Sequence, residues 1–253
     1  MNRDAVDASN SVRVIVLSAG LGTRLRPHTD YVPKALVPVD GEPIIERLLA
    51  RLALPVVHEV VCVTGYHAEL LEKKVSAVSE RPPVRFVYNV DYASANNILS
   101  LTAVRDLLTG PTVIIDGDLI LSTDLVERIL YSVDDTLAVD VGTDRSMIDM
   151  AVEIRGGRVW HLQKQLPPER ISGEVVGVSY WTGEGIHALL RAADDVIDRE
   201  GTEGWYMHAV RAVAKQRRLE PLWVKQDDWM EIDTVADLER AEREIKDCPP
   251  WAR

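Results

Sequence analysis

A chain of 253 residues, 46% of them apolar, can bury a sizeable core and fits one large α/β unit, alone or with a small lobe. No stretch approaches the run of about eighteen apolar residues that a membrane helix needs, and a formal charge of −11 argues against a nucleic-acid backbone as partner. That balance leaves room for a small anionic substrate held by a local cluster of cations.

Residues 1–11 are polar, lack the apolar segment of a secretory signal, and are expected to be disordered. Beyond them, short β-branched runs alternate with amphipathic segments for about 140 residues, the pattern of βα units around a parallel sheet. Strands are predicted at 12–17, 59–64, 84–88, 112–116 and 137–140, with helices from 43 onward and at 68–78, 98–108 and 125–132. The rhythm changes after residue 145. Strands at 150–154 and 158–162 flank Gly156-Gly157, a hairpin signal, and another is predicted at 174–181. Helices at 186–199 and 205–216 follow, then a strand at 219–224. A capping box of Thr234 and Asp237 opens a last helix that runs to about residue 245. Residues 12–247 therefore read as one domain, with a core over 12–144 and a packed lobe over 145–247. Cys62 and Cys248 suggest neither a disulfide framework nor a thiolate metal site, and point to a reducing, cytoplasmic setting.

Three stretches carry chemistry. The first strand ends in Ser18-Ala19-Gly20-Leu21-Gly22-Thr23, followed by Arg24, Arg26 and Pro33-Lys34. Small residues after a strand let backbone N–H groups approach a polyphosphate, and the cations beyond can neutralise it. The third glycine of a dinucleotide fingerprint is missing, and so is the Gly-Lys-Ser/Thr of a Walker loop. The second stretch is Asp116-Gly117-Asp118, at the end of an apolar run where parallel sheets bind ligands. Carboxylates placed there need a partner, and a hard cation such as Mg²⁺ is a natural one. The third is Trp229-Met230-Glu231-Ile232-Asp233-Thr234, in which Asp233, taken alone, reads as a helix cap.

Gly20 through Leu36 match, without a gap, the signature GxGTRLRPxTxxxPKxL, and the chain thereby resembles the sugar-phosphate nucleotidyltransferases. The resemblance extends over roughly residues 12–245 and implies their Rossmann-like doubly wound mixed α/β sheet, the nucleotide-diphospho-sugar transferase fold, with a small C-terminal acceptor-binding lobe. It implies Arg24 and Lys34 as catalytic cations and Mg²⁺ on Asp118 and Asp233. It implies nucleotide contacts from Leu17, Ala19, Gly20, Leu21, Gly22, Thr23, Gly65, Tyr66 and Asp116.

Where many such enzymes carry a glycine-rich stretch, this chain has Asn96-Asn97-Ile98-Leu99-Ser100-Leu101, which resembles the branch that activates phosphocholine and alkylphosphonates with CTP. An asparagine can read a pyrimidine edge or cap the following helix, and both roles are expected here, one for each residue. The resemblance thus implies transfer of CMP from CTP to a small phosphate or phosphonate; a sugar-1-phosphate or inositol-phosphate nucleotidyltransferase and a non-catalytic sensing subunit are the alternatives. Expected partners are these small molecules, without nucleic acid or membrane; a homodimer is left open.

Acceptor contacts are expected from Asp149, Glu174, Trp205, Tyr206 and His208, with Trp205 and Tyr206 read equally well as core residues of a helix. In that region Trp205-Tyr206-Met207-His208 lacks the acid that follows the aromatic pair in cation-binding members, and Asp149-Met150-Ala151-Val152 lacks a lysine common in the family. Both departures count against choline.

Overall fold

The computed structural model describes residues 11–143, 148–247 and 249–252; the expected disordered start and Cys248 lie outside the described residues apart from Ser11. At its centre is β1 (Val12–Leu17), whose alternate side chains enter two different cores. Ile15 and Leu17 face one, Val14 and Val16 the other, as a period of two requires of a strand covered on both sides. After it come a two-residue hairpin of β2 (Pro38–Val39) and β3 (Glu42–Pro43), helix α1 (Ile44–Arg51) and β4 (Val57–Thr64). Helix α2 (Ala68–Ser76), β5 (Val84–Tyr88), α3 (Asn97–Ala103), β6 (Thr112–Asp116), β7 (Leu119–Leu121), α4 (Thr123–Leu130) and β8 (Thr136–Asp140) complete the first half. The second half runs β9 (Ala151–Arg155), β10 (Arg158–Gln163), β11 (Gly173–Trp181), α5 (Gly183–Glu200), α6 (Tyr206–Gln216), β12 (Glu220–Val224), β13 (Trp229–Glu231) and α7 (Val235–Glu244).

The main sheet has the order β10-β9-β11-β6-β1-β4-β5, with β8 also beside β11 and β12 beside β8. Strands β6, β1, β4 and β5 are mutually parallel. Helices α1, α2 and α4 cover one face, and α3, α5 and α6 the other. The strand expected at 137–140 does not continue this parallel series: β11 lies antiparallel between it and β6. All nine residues of β11 are buried, so its backbone groups need partners on both sides. The predicted hairpin forms, with Arg155 opposite Arg158 and both glycines at positive φ, 58° and 73°.

Two other departures matter. The helix expected over 98–108 ends at Ala103 and tightens into a 3₁₀ turn at Arg105–Leu107. Strands β7 and β13, absent from the expectation because three residues give no periodic signal, pair antiparallel, Leu119 opposite Glu231. A third core cluster lies beneath this ribbon, joining Leu25, Val37, Ile44, Ile120, Met230, Ile232 and Trp251. Fully buried Leu25 contributes about 2 kcal/mol and ties the glycine loop to that floor.

Candidate active site

The loop after β1 is held on every side. Thr29 donates its hydroxyl to the Gly22 carbonyl at 2.7 Å, and the Tyr66 hydroxyl donates to the Thr29 and Asp30 carbonyls. Tyr66 N–H bonds the Ala19 carbonyl at 3.0 Å. Gly65 is needed for this approach, since a Cβ there would stand 2.6 Å from the Ala19 oxygen and from Tyr92 Cβ. Neither Gly65 nor Tyr66 lines the cleft; both brace the loop that does.

That cleft, about 550 Å³, opens at the carboxyl ends of β1 and β6 and is lined by Leu17, Ala19, Gly20, Leu21, Gly22, Thr23, Arg24 and Lys34. Asp116, Asp118 and Asp233 line its floor, and Asn96, Asn97, Asp149 and Trp205 its far walls. The structure thus gathers residues far apart in the chain, and the β7–β13 ribbon is the reason. Ile232 N–H bonds the Asp118 carbonyl at 3.0 Å, so the two acidic stretches meet.

Lys34 stands between them. Its Nζ is 2.6 Å from Asp118 Oδ2 and 2.6 Å from Asp233 Oδ1. Burial disfavours the charged ammonium, but the two carboxylates outweigh it and raise the Lys34 pKa. Arg24 reaches the other Asp233 oxygen at 2.5 Å while two-thirds exposed, so exchanging this pair for a ligand would cost little stability. Asp233 is not the helix cap. Thr234 takes that role, accepting from Asp237 N–H at 3.2 Å while Asp237 accepts from Thr234 N–H at 2.8 Å, and the Asp233 carboxylate is left to face Lys34.

Glu231, two residues before Asp233, joins the cluster: oxygens of Asp118, Glu231 and Asp233 lie within 4.8 Å of one another. Burial first, then the Asp118 charge, pushes the Glu231 carboxyl up to about 8. Asp118 Oδ1 is buried without a hydrogen-bond partner. Three convergent carboxylates, one of which carries an orphaned oxygen, fit a divalent cation such as Mg²⁺. The strand period of two could have flagged Glu231 beside Asp233 in the sequence.

Asp116 is shielded deeper. Burial and the neighbouring Asp118 charge raise its pKa well above the carboxylate range. Gly177, at φ 81°, passes so close that a Cβ would lie 2.6 Å from Asp116 Oδ2. Tyr206 is wholly buried among core side chains, its hydroxyl beside Asp116 but without hydrogen-bond geometry, and it does not line the cleft.

The tandem asparagines stand on the wall. Asn96 caps α3 and its Oδ1 accepts from Asn97 N–H, while Asn97 Oδ1 accepts from Tyr206 N–H at 3.0 Å and so fastens α6 to α3. Asn89, Ser100 and Glu203 also line the cleft although the sequence did not single them out. Asn89 donates to Ser100 Oγ at 3.0 Å.

Of the expected acceptor contacts, Asp149 and Trp205 reach the cleft. Glu174 lines an adjoining hollow and holds the Asp149 N–H at 2.8 Å. His208 is elsewhere: it pairs with Glu200 at 2.5 Å and lines a separate hollow with His161 and Arg211, because it stands inside α6 whereas Trp205 precedes the helix on extended backbone. Asp149 and Glu203 are acids that line the same cleft as Trp205.

A mixed sheet with a glycine loop, cations and convergent carboxylates at one edge defines the nucleotide-diphospho-sugar transferase class of fold. The chain belongs to the family described as the MobA-like NTP transferase domain, which matches residues 14–246. A choline-phosphate cytidylyltransferase of Streptococcus pneumoniae is 27% identical over 246 residues, 93% of this chain and 99% of that protein. A 2-aminoethylphosphonate cytidylyltransferase of Lancefieldella rimae is 37% identical over 123 residues, 47% of this chain and 48% of that protein. The solved CTP:phosphocholine cytidylyltransferase of Streptococcus pneumoniae shares the fold, with a TM-score of 0.74 over 93% of this chain and 99% of that one at 24% identity. Among the described residues no helix is long and apolar enough to cross a membrane.

Proposed function

We propose that this chain is a Mg²⁺-dependent cytidylyltransferase that transfers CMP from CTP to a small phosphate or phosphonate and releases pyrophosphate, acting in the cytoplasm. The observation that carries the reading is Lys34 bridging Asp118 and Asp233 beside the Gly20–Thr23 loop in one cleft. An oxygen of the acceptor's phosphoryl group attacks the α-phosphorus of CTP, and the bond to the β-phosphate oxygen breaks. That oxygen is already ionised at neutral pH, so no general base is needed. What the reaction demands is positioning and stabilisation of negative charge.

The loop backbone cradles the triphosphate, and Arg24 takes the charge accumulating on the departing pyrophosphate. Lys34 leaves its carboxylates for the phosphoryl oxygens that become more negative in the transition state. Asp118, Glu231 and Asp233 would hold a divalent metal ion, which would supply Lewis-acid charge to the phosphoryl groups. Asn96 or Asn97 offers the donor and acceptor a cytosine edge requires, and the resemblance of two relatives named as cytidylyltransferases supports CTP over other nucleotides.

Pyrophosphate release with CTP, UTP or GTP, each paired with phosphocholine, alkylphosphonates or a sugar 1-phosphate, tests the reading. Release with CTP and a phosphonate or phosphocholine is expected. Release with a sugar 1-phosphate alone would move the chain to the sugar-nucleotide enzymes, and CTP binding without release in any pairing would make it a sensing subunit.

A further inference from the structure

Asp149 and Trp205, which line the cleft, already hold a cation of the protein's own. Lys164, the residue after β10, places its Nζ 3.8 Å from the centre of the Trp205 ring and 3.2 Å from Asp149 Oδ1. An aromatic face with a carboxylate at its edge is the chemistry that holds a ligand ammonium. Here a lysine fills it. The arrangement is fixed from several sides: Glu174 anchors the Asp149 backbone, Asn97 anchors the start of α6 beside Trp205, and antiparallel pairing of Gln163 with Ala151 brings Lys164 next to the 149–150 segment.

The acceptors named for the two relatives, choline phosphate and 2-aminoethylphosphonate, both end in a cation. Such a group entering this cleft must displace Lys164 from ring and carboxylate and then sit beside it, like charge against like. An anionic end would fare little better, since Asp149 and Glu203 stand on the same wall. A hydroxyl suits the site: it can accept from the Lys164 ammonium and donate to the Asp149 carboxylate beside it.

We propose that Lys164, seated on Trp205 and paired with Asp149, sets this enzyme's acceptor specificity against cationic head groups and in favour of a small hydroxyl-bearing phosphonate or phosphate. This rests on the cytidylyl-transfer reading above and names its acceptor class. The discrimination is a repulsive element rather than a better fit, and like-charge juxtaposition is an effective way to reject a near-isostere.

The test compares kcat/KM for CTP with 2-hydroxyethylphosphonate, with its near-isosteric cationic counterpart 2-aminoethylphosphonate, with phosphocholine and with phosphonoacetate. Wild-type protein is expected to favour the hydroxyl compound over the amine by about tenfold or more. In Lys164→Met that ratio should collapse toward unity through a gain on the cationic acceptors, whereas Lys164→Arg should keep it. A merely structural role for Lys164 would lower all four acceptors together and leave the ratio untouched. Equal or better use of the amine by wild type, or an unchanged ratio in Lys164→Met, overturns the proposal while leaving cytidylyl transfer intact. Absence of pyrophosphate release with every acceptor overturns both.

Discussion

The two walls of the cleft are built differently. The nucleotide side grows out of the ends of buried parallel strands, with Leu17 and Asp116 still in register across β1 and β6, and each functional side chain there has buried neighbours or a bracing hydrogen bond. The acceptor side is made of connecting segments: Asp149, Lys164 and Glu203 are exposed, and Lys164 meets Asp149 in an ion pair and Trp205 in a ring contact. Rigid strand ends suit the half of the reaction in which charge must be met without rearrangement. A loosely packed wall lets the acceptor preference change by one or two side chains without disturbing the fold.

This contrast is open to attack from its strongest point first. Asp118→Asn should reduce turnover by about 10³-fold while the melting temperature shifts only slightly, because Lys34 keeps Asp233 as a partner. Steady-state pyrophosphate release and a thermal melt of the same variant check it; a near-normal rate would show that the nucleotide wall is not where the chemistry is held.

Rigidity behind that wall is tested by Gly177→Ala, which forces a side chain into a positive φ and against the Asp116 carboxylate. A loss of about 2–3 kcal/mol in denaturant unfolding is expected. If the variant were as stable as wild type, the strand-end region would be as yielding as the acceptor loops.

A smaller effect comes from Glu231. In the folded, metal-free protein its carboxyl keeps a proton up to about pH 8, whereas in the unfolded chain it releases that proton at the ordinary glutamate value. The stability this group contributes is therefore full at low pH and is lost as the pH rises through about 8. Glu231→Gln, fixed in the neutral form, should match wild type near pH 5 and exceed it by roughly 1–2 kcal/mol near pH 9 without metal. Melts that show no pH-dependent gap would mean that the three carboxylates do not crowd one another.

The smallest effect belongs to the other wall. Asp149→Asn should alter unfolding free energy by less than about 0.5 kcal/mol, since its ion pair with Lys164 is exposed. A larger loss would make the acceptor wall part of the core after all.

The same contrast explains what the sequence disclosed. Residues 12–36 were readable because strand, loop and cations follow one another without interruption, and Asp118 announced itself at the end of an apolar run. The αβ alternation gave the parallel centre of the sheet for the same reason: each unit is local. What escaped was non-local. The insertion of β11 between β6 and β8 pairs residues more than about sixty positions apart on the β6 side and roughly forty on the β8 side, and β7 and β13 are too short to show a period. Lys164 lies some forty residues before Trp205, and nothing around it in sequence points to that ring. His208, expected at the acceptor site because it stands where an acid would, pairs instead with Glu200 away from the cleft.

Phosphorus NMR of the complete reaction tests the central claim most directly. With CTP, Mg²⁺ and 2-hydroxyethylphosphonate, the account predicts loss of the acceptor and triphosphate signals, release of free pyrophosphate, and a new coupled pair from a P–O–P bond joining CMP to the phosphonate. CMP and pyrophosphate with the phosphonate unconsumed would mean hydrolysis, and unchanged spectra with every acceptor and nucleotide would contradict nucleotidyl transfer by this chain.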